Sequence, residues 1–322
     1  MVSAIVMAGY SNKREVKKYS RIVSEHYGEK FIETGYKPLR EFQTVEDGVE
    51  VRKPVIQFTL EKLFENDSIE EIIIVGHRML LEQRLGTFIS GFDKRCEIIN
   101  QNARIPPHAM KRFGIIPKKV KHTSLAGNFV KGYTASAAFK DRKHVLCAAA
   151  DSPLTTKEFI EDFLDAVKDY QRHSAIIVPG ILIHDKEDKL GRKPLLLRND
   201  TSYQLSDKRD DFGRQGYRLS SLLFANPNQF DVNTVNTAYN LRKFLSPKIQ
   251  LQLLRITRNL GYKNVYSKYF VKKDLSIKEC EAITSAFFKG RLTIIPMIGQ
   301  EATFDYDGTD EEYQRITEML NP

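Results

Sequence analysis

Short runs of almost uninterrupted apolar residues recur along the first half of the chain, and they constrain the fold more than any other feature. They are VSAIVMA at 2–8, EIIIV at 71–75, HVLCAAA at 144–150 and AIIV at 175–178. Runs of this length suit strands, and a strand that is apolar on both sides must be covered on both sides. Helical patterns lie between the runs, at 54–64, 78–90, 128–140 and 155–170. The alternation predicts an α/β domain with a mostly parallel, mixed sheet and helices on both faces.

The ends of the predicted strands indicate where a ligand would bind, because such sheets bind ligands beyond the carboxyl ends of their strands. Gly9, Gly76 and Asp151 directly follow three of the apolar runs. We therefore expect these residues to lie along one edge of the sheet. A capping box of Thr155 and Glu158 is predicted to begin the helix after Asp151.

The pattern changes after Pro179. Residues 203–216 contain six charged residues and two glycines, which predicts a loop or flap within a polar stretch at 184–218. The signal from 233 to 289 is helical, and a strand at 291–296 and a helix at 310–320 follow. We predict a core at 1–180, a mainly helical insertion at 181–290, and a strand and helix at 291–322 that return to the core.

The net charge of +9 is concentrated in two segments that lack acidic residues. Residues 98–140 contain eight Lys and Arg, and residues 232–273 contain nine, with no Asp or Glu in either. Such segments indicate that polyanionic ligands bind nearby. Alternatively, they form two basic faces that are exposed to solvent. Neither a nucleic-acid motif nor a Lys/Arg-rich tail occurs, so nucleic acid is not expected as a partner.

Several observations bear on the compartment. The sequence contains no run of about 18 apolar residues that would cross a bilayer, and no basic leader with a cleavage site. The cysteines (Cys96, Cys147 and Cys280) are far apart and odd in number. They form neither a disulfide framework nor a metal spacing, and a reducing compartment suits them. We predict a cytoplasmic protein without a signal peptide.

The loop after the first strand reads Ala8-Gly9-Tyr10-Ser11-Asn12-Lys13-Arg14. A glycine after a buried strand lets the backbone turn tightly and present N–H groups to a phosphate, whose charge Lys13 or Arg14 could neutralise. The loop is not a P-loop, because no GxxxxGK[ST] is present. The alternative, that this segment is an ordinary turn from a strand into a loop, stays open.

Three further segments carry suitable chemistry. Lys37, beside a proline, can hold a point charge against a phosphate, or it lies in a plain surface loop. Asp151 leaves a buried strand end, where a carboxylate suits Mg²⁺, or it caps the next helix. Asp305 and Asp307 precede the last helix and could supply a second metal ligand, or they form an Asp-Gly turn.

Taken in order, IVMAG, KPL, RKPVIQFTLEKL, LCAAADSPLTT and DYDGTDEEY resemble the nucleotidyltransferase superfamily. The branch that they resemble includes molybdopterin guanylyltransferase and the sugar-phosphate and polyol-phosphate nucleotidylyltransferases. The resemblance covers residues 1–180 and resumes at 291–315. It implies a Rossmann-like, GT-A-type sheet and a nucleotide-binding core at 1–180, with the acceptor bound by 181–290.

The resemblance also implies roles for individual residues. Lys13, Arg14 and Lys37 correspond to catalytic phosphate ligands, and Asp151 with Asp305 or Asp307 to ligands of Mg²⁺ or Mn²⁺. The residues that correspond to nucleotide contacts are Ala8, Gly9, Tyr10, Ser11, Gly127, Asn128 and Gly132. The sequence departs from the family pattern at Ser11 and Asn12, where the opening loop usually has a second glycine.

The implied reaction is Mg²⁺-dependent transfer of a nucleoside monophosphate from a triphosphate to a phosphorylated sugar, polyol or cofactor, with release of pyrophosphate. The acceptor would bind the 181–290 segment, with Arg209, Arg214 and Arg218 as candidates, or the basic face would lie on anionic lipid. An oligomer is possible. Two alternatives stay open: a nucleotide-sugar glycosyltransferase, although Asp151-Ser152-Pro153 lacks its DxD, and a non-catalytic nucleotide-binding regulator.

Overall fold

The computed structural model describes residues 1–9, 32, 36–183, 194–201, 210–211, 213–237, 255, 257–259, 261–306 and 308–321. Within these ranges the main feature is a nine-stranded mixed sheet, accompanied by a separate two-stranded hairpin. The strands are β1 (Val2–Ala8), β2 (Glu41–Glu46), β3 (Val49–Pro54), β4 (Ile69–Gly76), β5 (Arg95–Asn100), β6 (Val145–Ala149), β7 (Ile176–Ile183), β8 (Leu195–Arg198), β9 (Arg214–Leu219), β10 (Leu223–Ala225) and β11 (Leu292–Met297).

Most strands of the sheet run in the same direction. β1 pairs in parallel with both β4 and β6, and β5 pairs in parallel with β4. β10 runs antiparallel to both β6 and β7, so β7 points the same way as β6, and β11 is parallel to β7. One edge of the sheet, here called the carboxyl edge, therefore collects the loops that follow β1, β4, β5, β6 and β11.

Helices connect these strands. They are α1 (Val55–Phe64), α2 (Arg78–Ser90), α3 (Pro107–Arg112), α4 (Leu125–Ala135), α5 (Ala138–Asp141), α6 (Lys157–Ala166), α7 (Ile277–Phe288) and α8 (Asp310–Leu320). No helix in the described ranges has both the length and the apolar character needed to span a bilayer.

The apolar strands bury side chains on both faces of the sheet, as their sequences predict. Val6 of β1 packs in one core cluster with Leu60 of α1 and Phe163 of α6. The adjacent Ile5 points to the other face and packs with Tyr133 of α4. Because successive side chains of a strand alternate between faces, one apolar run supports a helical layer on each side.

The structure corrects the prediction of a loop or flap at 203–216 within the polar stretch at 184–218. Within its described part, β8 and β9 pair antiparallel with each other, and β9 continues the main sheet through β7. β9 already begins at Arg214, inside the predicted flap. These strands are short and partly polar, so their strand character depends on a distant partner and not on local periodicity. The 181–290 segment therefore adds strands to the sheet besides the predicted helical part.

Three local features also differ from the predictions. The helix predicted at 128–140 is two helices, because α4 ends at Ala135. The cap of α6 is Thr156, whose hydroxyl accepts from the Phe159 N–H at 3.1 Å, and not Thr155, which is buried. The hairpin β2–β3 was not predicted. Its turn is Asp47-Gly48, both with positive φ, which is the turn that an Asp-Gly pair favours.

Candidate active site

A buried tyrosine joins the ends of two parallel strands at the carboxyl edge. The Tyr36 hydroxyl donates to the Ala8 carbonyl at 3.0 Å and accepts from the His77 N–H at 2.9 Å. Tyr36 is fully buried, so these two bonds fix the start of the 3-10 turn Lys37–Leu39 above β1 and β4. Sequence reasoning missed Tyr36, although it stands directly before the KPL motif.

Lys37 reaches from this turn to the C-terminal segment of the chain. Its Nζ donates to the Tyr306 carbonyl at 3.5 Å. Gly308 has a φ of +94°, and a Cβ at that position would lie 3.1 Å from Lys37 Cε. The left-handed backbone and the close approach both require glycine there. The Lys37 side chain is therefore held beside Tyr306 and Gly308.

The C-terminal segment is anchored by two aromatic side chains that flank an acid. Phe304 and Tyr306 are fully buried in a cluster with Phe42, while Asp305 between them is only half-buried. Since side chains of an extended segment alternate in direction, burial of both neighbours turns Asp305 away from the cluster. The alternation Phe-Asp-Tyr was a readable signal for this arrangement.

Asp151 and Asp305 lie on neighbouring loops. The Tyr306 N–H donates to the Asp151 carbonyl at 2.7 Å, and the Ser152 hydroxyl donates to Asp305 Oδ1 at 2.6 Å. The loop after β6 and the segment after β11 are thus joined directly, although more than 150 positions separate them in sequence. The predicted positions Lys37, Asp151 and Asp305 come together at the carboxyl edge.

The donor chemistry of this pair suits one kind of metal ion. Two half-buried carboxylates fit Mg²⁺, which takes one or two protein carboxylates and fills its remaining positions with water and substrate phosphates. Among the described residues, no group of three or more His, Cys, Asp and Glu side chains could enclose a metal ion by itself.

A second set of polar groups surrounds Gly9, at the end of β1. A Cβ at Gly9 would lie 2.9 Å from Asn128 Nδ2 and 3.1 Å from Gln101 Oε1. Asn128 is only 4% exposed, and its side-chain oxygen is buried without a hydrogen-bond partner among the described residues. Gly9 and Asn128, both predicted to contact the nucleotide, therefore lie next to each other, while Gln101 was missed because it lies in a polar turn without a motif.

Gly127 and Gly132, which were also predicted to contact the nucleotide, both lie in tight packing contacts. Gly127 lies against the backbone carbonyls of Lys121 and His122. Gly132 faces the sheet, where an added Cβ would lie 2.6 Å from Ile5 Cγ2 and 3.1 Å from Val75 Cγ2. Both glycines permit a close backbone approach, Gly132 by allowing α4 to sit tightly on β1 and β4.

Gly132→Ala is expected to lower the free energy of unfolding by about 1–3 kcal/mol, because the methyl group overpacks the contact with Ile5. The Michaelis constant for the nucleotide should stay unchanged. Chemical denaturation and steady-state kinetics measure the two effects separately. A raised Michaelis constant with unchanged stability would instead place Gly132 in the nucleotide site.

Lys131 is buried, and it contacts the backbone of Gln101, one of the residues next to Gly9. Its ammonium group donates to the carbonyl of Gln101 and, at 3.5 Å, to that of Asn100. Burial lowers the pKa of Lys131 to about 8 from its ordinary value of 10.5. Lys131 therefore donates hydrogen bonds to carbonyls at the end of β5. Its charged form is destabilised by the loss of hydration in this buried position.

This lowered pKa predicts a pH-dependent stability. Between pH 8 and 10.5 the folded protein loses the Lys131 proton first, so the unfolded chain binds more protons and stability rises with pH. Relative to Lys131→Met, the wild type should gain about 2 kcal/mol between about pH 7.5 and about pH 9.5. Urea unfolding measures the free energy of unfolding of both proteins at each pH. The contributions of all other titrating groups cancel in the difference between the two values. A difference that does not change with pH would contradict the assignment.

The remaining predicted site residues divide into two groups. Arg214 is buried and paired with Asp210 at 2.7 Å, so it stabilises the start of β9 and is not exposed to an acceptor. Arg218 lies half-buried on the same strand. The other residues lie outside the described residues: Tyr10, Ser11, Lys13, Arg14, Arg209 and Asp307.

Two solved structures share this fold over nearly the whole chain. A hypothetical transferase from Thermus thermophilus is 16% identical, with a TM-score of 0.57 over 97% of this chain and 99% of that chain. A CMP:2-keto-3-deoxy-manno-octonic acid synthetase, solved with CTP, is 12% identical, with a TM-score of 0.51 over 99% and 97%. No family model and no curated protein matches the sequence. The likenesses confirm the predicted α/β fold.

Proposed function

We propose that this protein is a nucleotidyltransferase, which transfers a nucleoside monophosphate from a triphosphate to a phosphorylated acceptor and releases pyrophosphate. The observation that carries the proposal is the meeting of Lys37, Asp151 and Asp305 at the carboxyl edge of the sheet. A cation and two carboxylates at this edge suit a triphosphate and its counter-ion. The fold shared with a synthetase solved with CTP agrees with this reading.

The reaction needs little covalent work from the protein. An oxygen of the acceptor phosphate attacks the α-phosphorus of the triphosphate, the bond to the β-phosphate oxygen breaks, and pyrophosphate leaves. Lys37 stabilises negative charge that develops on the phosphates. An acceptor phosphate is already anionic, so a strong general base is not required.

Asp151 and Asp305 would hold Mg²⁺, which when bound supplies charge neutralisation at the phosphate oxygens. The two acids are held in position by the chain itself, through the Tyr306–Asp151 and Ser152–Asp305 hydrogen bonds. Positioning of this kind lets the site meet its ligand without rearrangement, which favours catalysis.

Gly9 and Asn128 would lie beside the nucleotide. Their contact leaves no room for a side chain at position 9, and the buried side-chain oxygen of Asn128 can accept a hydrogen bond from a ligand. Burying this oxygen without a hydrogen bond costs free energy, and a hydrogen bond from an N–H of the ligand would remove that cost. We therefore place the nucleotide at the end of β1, with its phosphates towards Lys37.

The activity is tested by incubating the protein with each of the four ribonucleoside triphosphates, Mg²⁺ and a panel of phosphorylated sugars and polyols. Pyrophosphate release is measured with a coupled assay. We expect release that depends on one triphosphate and one class of acceptor. Chelation of the metal with EDTA should abolish it, and added Mg²⁺ should restore it.

Two other results would support the alternative functions. Binding of a triphosphate without pyrophosphate release, across the whole panel, would favour a non-catalytic nucleotide-binding protein. Consumption of a finished nucleotide sugar, with release of a nucleoside diphosphate, would favour a glycosyltransferase. The absence of an acid at positions 152 and 153, directly after Asp151, counts against the second result.

A further inference from the structure

Residues 261–273 have apolar side chains on two faces. Val265 and Tyr269, four positions apart, pack inward against a cluster that contains Leu182, Leu197 and Tyr217. These contacts attach the segment to β7, β8 and β9. The inward pair is sufficient to explain how the segment is held, so further apolar side chains on its outer face have no role in the core.

Three such side chains are present on the outer face. Tyr266 is 49% exposed, Phe270 is 56% exposed and Val271 is 71% exposed. The rings of Tyr266 and Phe270 lie together, with centroids 4.6 Å apart. Large apolar side chains on the surface are common one at a time, but three within six consecutive residues form a patch that indicates a binding surface.

The segment that carries this patch is basic. Arg255, Arg258, Lys263 and Lys272 are exposed, and the segment 232–273 contains no acidic residue. Lys268 differs from these, because its ammonium group is paired with Glu279. The exposed side chains at 263, 266 and 270–272, here called the basic-aromatic face, thus combine two rings and an aliphatic side chain with two lysines.

We propose that the basic-aromatic face binds the surface of an anionic lipid bilayer. Aromatic and aliphatic side chains enter the boundary between headgroups and acyl chains, while Lys and Arg face anionic headgroups. The contact is peripheral, since no helix in the described part of the chain could span the bilayer. This surface is separate from the proposed nucleotidyl transfer and does not depend on it.

Two other occupants fit the face less well. A second copy of the chain, paired symmetrically, would set cations against cations with no acid in the segment to balance them. A single-stranded nucleic acid would use aromatic faces for stacking. Here the two rings contact each other, and the most exposed apolar residue, Val271, can neither stack nor form a side-chain hydrogen bond.

The test is sedimentation of the full-length protein with vesicles. One set contains phosphatidylcholine alone, and the other contains phosphatidylcholine with about one third phosphatidylglycerol. The wild type is compared with the double variant Phe270→Ser/Val271→Ser and with Lys263→Gln/Lys272→Gln. The matched control is Val49→Ser, because Val49 is 62% exposed on the hairpin, outside the face. All changes are on the surface, and circular dichroism with a thermal melt checks that each variant folds.

We expect binding to the anionic vesicles only, weakened at least about tenfold by Phe270→Ser/Val271→Ser and lowered by Lys263→Gln/Lys272→Gln. Val49→Ser should bind like the wild type. The proposal is overturned if the wild type does not sediment, or if the double serine variant sediments equally well. It is also overturned if the same variant instead abolishes binding to poly(U), or abolishes a dimer seen by analytical ultracentrifugation.

Discussion

Asp151→Asn is expected to lower the rate of pyrophosphate release about a thousandfold, the largest effect that we predict for any single change in this protein. The substitution keeps the size of the side chain but removes the negative charge that would hold Mg²⁺. The fold should be unaffected, because the bond from Tyr306 is made to the Asp151 backbone carbonyl and not to its side chain. The measurement is the turnover number at saturating triphosphate and Mg²⁺.

The control for this change is Asp162→Asn, which neutralises an exposed acid on α6. It should leave both turnover and stability unchanged. If Asp151→Asn retains turnover, the metal assignment is wrong, even if the protein proves to be a nucleotidyltransferase. If it instead unfolds the protein, as judged by its melting temperature, Asp305→Asn provides the same test from the other loop.

Lys37→Met is expected to lower kcat/KM for the triphosphate about a hundredfold. Methionine preserves most of the apolar stem but cannot neutralise phosphate charge. Because Lys37 is held beside Tyr306 and Gly308 before any ligand binds, its charge is already positioned, and its loss should appear in the chemical step as well as in binding. Steady-state kinetics over a range of triphosphate concentrations measures kcat and KM separately.

Lys168→Met serves as the matched control for Lys37, since Lys168 is an exposed lysine whose partner is Asp165. It should have the kinetics of the wild type. Equal kinetics for Lys37→Met and the wild type would show that the charge of Lys37 does not contribute to the reaction. The carboxylates and the loop at 10–14 would then carry the phosphate site.

The sequence alone predicted the framework well. Apolar runs of about four to seven residues between amphipathic helices are typical of central strands of a covered sheet, and they can be recognised because period and length are local properties. The ends of those runs then placed Gly9, Gly76 and Asp151 on one edge, since parallel strands end on the same side. The resemblance added Lys37 and Asp305, which the structure brings next to Asp151.

Other features could not be read from local patterns. Asn233 and Asn236 of one acid-free segment bind the backbone of the other, at Gly114, Ile116 and Lys119, so two basic stretches distant in sequence share a contact. The packing of Gly132 in α4 was likewise not predicted, because the residue stands in a motif whose sequence does not show that it lies against the sheet. Such contacts depend on which surfaces meet after folding.

What the sequence determined by itself is therefore the layered α/β fold and the edge where its ligand should bind, because strand and helix periods need only neighbouring residues to be recognised. Only the tertiary structure decided which polar groups share that edge. Tyr36 bridges Ala8 and His77, and buried aromatic side chains on both sides of Asp305 turn it towards Ser152. These arrangements arise from hydrogen bonds and packing between residues far apart in the chain, and no local pattern encodes them.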